Sequence, residues 1–256
     1  MDIFKSSNPA LGEKVFREIN ITDASQVMTL RGTMNKLGLM MIFLMAGAFY
    51  TWSGFSKGQN MQPLMLVGAI GGFIVAMVII FKKEWAPYLA PAYAILEGLF
   101  LGAISAMFSY AFADKMPNII TNAVGLTIGT GVAMFLLYSV RVIKVTEKFK
   151  SIVFTATAGI AIFYLITMVL RMFGVALPFM HDSSPLGIGI SLFIVCIAAL
   201  NLLMDFDMIE KGAAAGAPKY MEWYGAFGLI VTLVWLYLEI LRLLSRFASS
   251  KEVIKG

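Results

Sequence analysis

Seven long runs of apolar residues follow one another along the chain, with short polar segments between them. The runs cover residues 37–55, 64–81, 88–112, 119–138, 152–171, 186–205 and 223–244. Each run is close to the length of about 20 residues that an α-helix needs to cross the hydrocarbon core of a bilayer. The runs are continuously apolar and lack the two-residue alternation of a membrane β-strand. The pattern therefore predicts an all-α integral membrane protein with seven transmembrane helices.

Composition supports this class and divides the chain into three parts. The 256 residues are 59% hydrophobic and only 14% charged, too few charges to cover a water-soluble globule of this size. We expect a polar N-terminal segment (1–36), a seven-helix transmembrane domain (37–246) and a short basic tail (247–256). The net charge is +5, but its basic residues lie between the apolar runs and not on one surface. This distribution indicates a lipid bilayer as the partner and argues against nucleic acid.

The placement of basic residues predicts the orientation of the chain. More Lys and Arg residues fall on the side of the N-terminus than on the other side, so the N-terminus is expected in the cytoplasm. Seven spans then place the C-terminus outside, although its tail carries Lys251 and Lys255. The alternative left open by the sequence is a last run that enters and returns on one side, which would make both termini cytoplasmic.

Carboxylates inside the apolar runs are the strongest functional signal. Asp205 closes the sixth run, Glu239 lies deep in the seventh, Glu97 lies in the middle of the third, and Glu222 directly precedes the seventh. A charged side chain in a membrane span is costly to bury and is usually functional, with a partner. The local alternative for Glu239 is an intrahelical ion pair with Arg242, three residues further on.

Helical spacing separates the acids at the end of the sixth run. Asp207 is four residues from Lys211 and three from Glu210, so both acids are expected at the surface. Asp205 points in another direction, with Asn201, and is expected to face the protein interior.

Small residues at a four-residue spacing predict close helix packing in two runs. The first set is Ala94, Gly98, Gly102 and Ala106, and the second set is Gly125 and Gly129. Such spacing lets helix backbones approach closely in a bilayer.

Enzymatic chemistry and a bound cofactor are not expected. His181 is the single histidine, in a loop, and supports neither a metal cluster nor a Ser-His-Asp arrangement. Cys196 is the single cysteine, within an apolar run, so the chain forms no intrachain disulfide. The runs contain no lysine for a retinal Schiff base.

Three segments resemble the transmembrane Bax inhibitor motif (Bax inhibitor-1-like) family, in its bacterial branch. They are LEGLFLG in the third run, MDFDMIEKG at the end of the sixth and WLYLEILRLL in the seventh. The resemblance implies six helices around a central C-terminal helix, location in the cell (inner) membrane and a pH-dependent calcium leak.

The resemblance also implies roles for individual residues. It places the two gating acids at Asp205 and Glu239 and the assisting basic residue at Lys82 or Lys83. The chain departs from the family pattern with Glu as the second acid, Lys in place of Arg and a longer link between the acids. An acid expected in the second span is missing, and Glu97 is a candidate to replace it.

The leading hypothesis is a calcium leak channel gated by the Asp205 and Glu239 carboxylates. Two adjacent carboxylates in a low-dielectric site are expected to share a proton near neutral pH, and its loss would separate them and offer oxygens to a weakly bound, transient calcium ion. A rise of 1.5 Å per residue, however, places the two acids at different depths, and Glu222 is then the reserve partner for Asp205. The alternatives are a proton-coupled transporter of small solutes and a non-catalytic regulator of a membrane protease or stress response.

Overall fold

Seven membrane-length helices make up the part of the protein that the computed structural model describes, residues 26–175 and 184–253. In chain order they are α1 (Leu30–Ser56), α2 (Gln62–Phe81), α3 (Ala86–Ala111), α4 (Ile119–Ser139), α5 (Glu147–Met172), α6 (Pro185–Ala214) and α7 (Met221–Val253). A short 3₁₀ turn, Lys83–Trp85, joins α2 to α3. The predicted all-α membrane fold is confirmed. Residues 1–25 of the predicted polar segment and the loop with His181 lie outside the described residues.

The C-terminal helix α7 is the centre of the bundle. It packs against α1, α3, α4 and α6, while α2 packs against α3. In the most apolar stretch of α7, 56% of the residues are buried, whereas in the corresponding stretch of α5 only 11% are. The helix α5 is at the periphery and packs mainly against α6.

Several helices extend beyond their apolar runs, most of all α1, α6 and α7. Helix α1 begins at Leu30, capped by the Thr29 side chain, and not at residue 37. Helix α6 continues past Asp205 to Ala214, and α7 runs on to Val253. Hydropathy marks only the part of a helix in contact with hydrocarbon, so these extensions are not visible in it.

The last apolar run forms a single long helix, α7. The segment before α1 is hydrogen-bonded to the turn between α6 and α7, where the Met28 N–H donates to the Ala217 carbonyl at 2.7 Å. Helix α7 then runs unbroken for 33 residues, about 50 Å. This exceeds the thickness of the hydrocarbon core, and the described part of α7 contains no turn that would return it to the side from which it starts. The last run is therefore long enough to cross the membrane as one helix.

One of the two small-residue sets packs as predicted. A β-carbon at Gly98 would lie 2.9 Å from the Leu44 carbonyl carbon of α1, and one at Gly102 would lie 2.6 Å from the Ala48 Cα. The close α1–α3 contact thus depends on the absence of side chains at these two glycines. The prediction for Gly125 and Gly129 is wrong, because within the described chain nothing lies within 4 Å of a β-carbon at either position. The glycine spacing is the same in both sets, and only the bundle decides which face meets a helix.

Candidate ion pathway

Asp205 lies half-buried on α6 and contacts α7 through a hydroxyl group. The Thr232 Oγ1 donates a hydrogen bond of 2.6 Å to the Asp205 Oδ2. A β-carbon at Gly228, one turn before Thr232, would lie 4.0 Å from the other carboxylate oxygen, so that glycine makes room for the acid. Among the described residues, no basic side chain lies within ion-pair distance of Asp205. Its charge is therefore balanced by no fixed cation in this part of the chain.

Glu239 is buried on α7 and is held by two side chains. The Arg242 Nη1 lies 2.8 Å from its Oε1 and 2.7 Å from its Oε2, and the Tyr164 hydroxyl of α5 donates to Oε1 at 2.8 Å. Arg242 also donates to the Tyr164 hydroxyl and lies over its ring, 5.1 Å from the centroid. The intrahelical ion pair considered as the local alternative for Glu239 is thus formed.

The structure does not bring Asp205 and Glu239 together, so the expected carboxylate contact is wrong. Asp205 is level with Thr232, and Glu239 lies two helical turns further, about 10 Å along α7. Both helices are continuous through this region, so no break near Gly225 or Gly228 brings the second acid back. The rise per residue predicts that the two acids lie at different depths, and the bundle places them at different depths.

Apolar side chains fill the space between the two acids. Ile160 of α5 and Ile194 and Ile197 of α6 form a buried cluster against which Trp235 of α7 packs. Trp235 lies between Thr232 and Glu239 along α7. Along α7, an apolar side chain of this packing group thus lies between Thr232, which contacts Asp205, and Glu239. An apolar constriction of this kind excludes water and ions.

Polar side chains nevertheless follow one junction on both sides of that cluster. The Asn201 amide of α6, one turn before Asp205, donates to the Thr157 hydroxyl of α5 at 2.8 Å. Tyr164 lies two turns after Thr157 on the same face of α5. We call these residues the polar seam: Thr157, Tyr164, Asn201, Asp205, Thr232, Glu239 and Arg242. It follows the junction of α5, α6 and α7.

Glu222, the reserve partner, belongs to a separate cluster at the start of α7. Its carboxylate is fully buried and accepts hydrogen bonds of 2.9 Å from both the N–H and the hydroxyl of Thr29. Lys219 lies 3.0 Å from Oε1, and Lys36 pairs with Oε2. These contacts tie the start of α1 to the start of α7 and leave Glu222 far from Asp205.

The remaining candidate residues lie away from the polar seam. Lys83 is near the start of α7, with its Nζ 5.2 Å from the centroid of the Tyr224 ring, and Lys82 ends α2. Glu97 lies between α2 and α3, where a β-carbon at Gly72 would be 3.0 Å from its Oε2. The Glu97 carboxylate therefore reaches the part of α2 where the family resemblance places an acid.

The prediction that Asp207 is a surface residue is wrong. Its carboxylate is buried and pairs with Lys211 at 2.8 Å and with Lys150 of α5 at 3.1 Å. Glu210 is half-exposed and pairs with Arg141 and Tyr138. The i,i+4 pair with Lys211 is as predicted, but the second lysine, from another helix, covers Asp207.

The sequence did not single out four residues of this region: Thr157, Tyr164, Thr232 and Ser191. Thr232 and Glu239 are seven residues apart and share one face of α7, which is the signal that could have found Thr232. Tyr164 and Thr157 have the same spacing on α5. Ser191 has no such signal, since a lone serine in an apolar run is common.

The seven-helix bundle, with buried carboxylates along its central helix, is typical of a polytopic membrane protein. The model of one protein family, described as Bax inhibitor 1 like, matches residues 8–249. The chain belongs to this family. Comparisons with curated proteins and with solved structures gave no significant match.

Proposed function

We propose that this protein is a non-catalytic, pH-sensitive leak channel that conducts cations, calcium among them, along the polar seam. The observation that carries the proposal is Asp205, an acid in a membrane helix whose partner is the Thr232 hydroxyl and not a fixed cation. A carboxylate at this depth attracts a mobile cation, because no protein charge within the described residues neutralises it. The calcium leak implied by the family resemblance supports the same function.

The two acids act in succession and not as a proton-sharing pair. A cation from the side of the N-terminus meets Asp205 first and Glu239 about 10 Å later. Ile160, Ile197 and Trp235 form an apolar group near these positions, and in this proposal that group closes the pathway. Conduction requires α5, the least buried helix, to move away from α6 and α7 and let water enter.

Calcium fits this arrangement as a passing ion. Calcium prefers six to eight oxygen ligands, whereas each position offers one carboxylate and a neighbouring hydroxyl, Thr232 or Tyr164. Water must complete the coordination, so binding at each position is weak. Weak binding at several positions is what a conducting pathway requires.

The dependence on pH follows from the charge of Asp205. An ionised carboxylate attracts a cation, and a protonated one carries no charge. We therefore expect flux to rise with pH and to fall on acidification. The change should occur in one direction across the range from about pH 6 to about pH 8.

The test compares calcium flux into liposomes for wild type and Asp205→Asn across this pH range. We expect the variant to lose most of the flux and its pH dependence. Asp114→Asn, which neutralises an exposed acid in the α3–α4 connection, is the matched control and should behave as wild type. Equal flux in Asp205→Asn and wild type at every pH would remove Asp205 from the mechanism.

Two other results would favour the alternative functions. Solute counterflow that depends on a proton gradient, without passive calcium flux, would indicate a proton-coupled transporter. Unchanged flux with lower thermal stability, when both Asp205 and Glu239 are neutralised, would indicate a membrane regulator of a protease or stress response.

A further inference from the structure

The guanidinium of Arg242 lies at the end of the polar seam, in a site made by two other side chains. One side is the Glu239 carboxylate, with both oxygens within 2.8 Å of Nη1. The other side is the Tyr164 ring, whose centroid is 5.1 Å from the guanidinium carbon. A carboxylate together with an aromatic face is a general recognition site for a planar cation.

We propose that Glu239 and Tyr164 form a guanidinium-binding cation site and that Arg242 occupies it as a tethered blocker. This inference rests on the proposed function, since the blocker acts on the ion pathway. A cation that has passed Asp205 reaches the Glu239 carboxylate, which already holds a positive charge supplied by the chain. Flux past this position therefore requires the arginine to leave.

Burial indicates that the arginine is the mobile partner. The Glu239 side chain is 2% exposed, whereas that of Arg242 is 40% exposed. The carboxylate is fixed inside the bundle and the guanidinium lies at its edge. Because Arg242 is partly exposed, its guanidinium can regain water when it leaves, and an arriving cation replaces the positive charge that the buried Glu239 loses.

A second position for the guanidinium lies next to the first. Ser191 Oγ is buried and, among the described residues, is a side-chain oxygen without a hydrogen-bond partner. It lines a cavity of about 10 Å³ together with Tyr164 and Arg242. A hydroxyl oxygen accepts a hydrogen bond from an arginine, and such a cavity holds about one water molecule. The released guanidinium can donate to Ser191, directly or through that water.

Arg246, the neighbouring arginine, has a structural role. Arg246 lines the same cavity, but it donates to the Gly187 carbonyl at the start of α6 and is buried. It holds the α6 and α7 backbones together. The half-exposed Arg242 is therefore the one assigned to blocking.

The experiment is chemical rescue of Arg242→Ala in liposomes. We expect calcium flux to rise roughly fivefold over wild type. This ratio corresponds to the free energy of one modest ion pair, which no longer holds the pathway closed. Millimolar guanidinium chloride, added on the side of the C-terminus, should return flux to the wild-type level, because the free ion refills the site. Sodium chloride and urea at equal concentrations should not. Arg171→Ala, which removes an exposed arginine near the end of α5, is the matched control and should leave flux unchanged.

Two further variants test the blocker if Arg242→Ala does not fold. Tyr164→Phe removes the hydroxyl that accepts from Arg242 and donates to Glu239, so it weakens the hold on the blocker. Water can replace this hydroxyl as a ligand of a passing ion, so the variant should raise flux. Ser191→Ala removes the second position and should lower it. The blocker proposal is overturned if Tyr164→Phe and Ser191→Ala change flux in the same direction, or if guanidinium does not block Arg242→Ala. In that case the channel function still stands, provided that wild-type flux depends on pH and is sensitive to Asp205→Asn. Absence of flux in wild type and in every variant would instead refute the channel function.

Discussion

The buried acids of this bundle differ in how their charge is balanced. Glu222 is neutralised by Lys36 and Lys219, and Glu239 by Arg242. Asp205 has a hydroxyl donor instead. Removing one partner of a buried ion pair leaves the other charge uncompensated, whereas neutralising an unpaired acid removes an uncompensated charge. The three acids should therefore respond differently to the same Asp→Asn or Glu→Gln change.

Glu222→Gln should destabilise the protein. The change leaves Lys36, whose side chain is only 20% exposed, without its anion, and it weakens the link between α1 and α7. We expect the free energy of unfolding to fall by about 3 kcal/mol, the usual cost of losing one partner of a buried pair. The measurement is thermal unfolding of the purified protein in detergent.

The control for this prediction is Glu147→Gln. Glu147 also pairs with a lysine, Lys150, but its side chain is 86% exposed. Its thermal unfolding should match that of wild type. Equal midpoints for the Glu222 and Glu147 variants would show that burial of the first pair carries no stability.

Helix packing in this protein relies on glycine at one junction and not at another. The α1–α3 contact brings two backbones together at Gly98 and Gly102, and the same spacing on α4 faces no helix in the described chain. Without a hydrophobic drive between helices in lipid, the close contact supplies the stability.

Gly98→Ala should therefore be costly and Gly129→Ala should not. The added methyl group at residue 98 would overlap the Leu44 carbonyl of α1, and the helices must move apart to admit it. We expect a loss of about 2 kcal/mol from overpacking at Gly98. Thermal unfolding of the two variants checks this, and equal stability would show that the α1–α3 contact is loose enough to absorb a methyl group.

At the scale of the whole molecule, α7 links the two sides of the membrane. Its start is fixed by the Glu222 cluster, its middle by Asp205 and Thr232, and its end by Glu239, Arg242 and Arg246. The polar groups thus follow one helix along the bundle, and the proposed channel opens when α5 moves away and exposes both acids to water.

Cysteine accessibility tests the side assigned to each end. In a Cys196→Ala background, Lys144→Cys in the α4–α5 connection should react with a membrane-impermeant maleimide only from the cytoplasm. Lys57→Cys and Ser250→Cys should react only from the opposite side. Labelling of Ser250→Cys together with Lys144→Cys would show that α7 does not cross the bilayer in cells.

The sequence by itself determined the class, the number of spans and which acids lie within apolar runs. These are local properties, because hydropathy depends on consecutive residues and a carboxylate in an apolar run is costly wherever the run packs. The sequence also gave the Arg242 pair with Glu239, since residues three apart on one helix are neighbours in any fold.

Only the tertiary structure decided which groups meet across helices. Asp205 contacts Thr232 and not Glu239, Tyr164 reaches Glu239 from α5, and Lys150 covers Asp207. These contacts depend on the relative depth and rotation of the helices, which are set by packing along their whole length. The predicted gate was two adjacent carboxylates. The bundle instead holds two carboxylates in succession, with an apolar side chain of α7 between them and a guanidinium on the second.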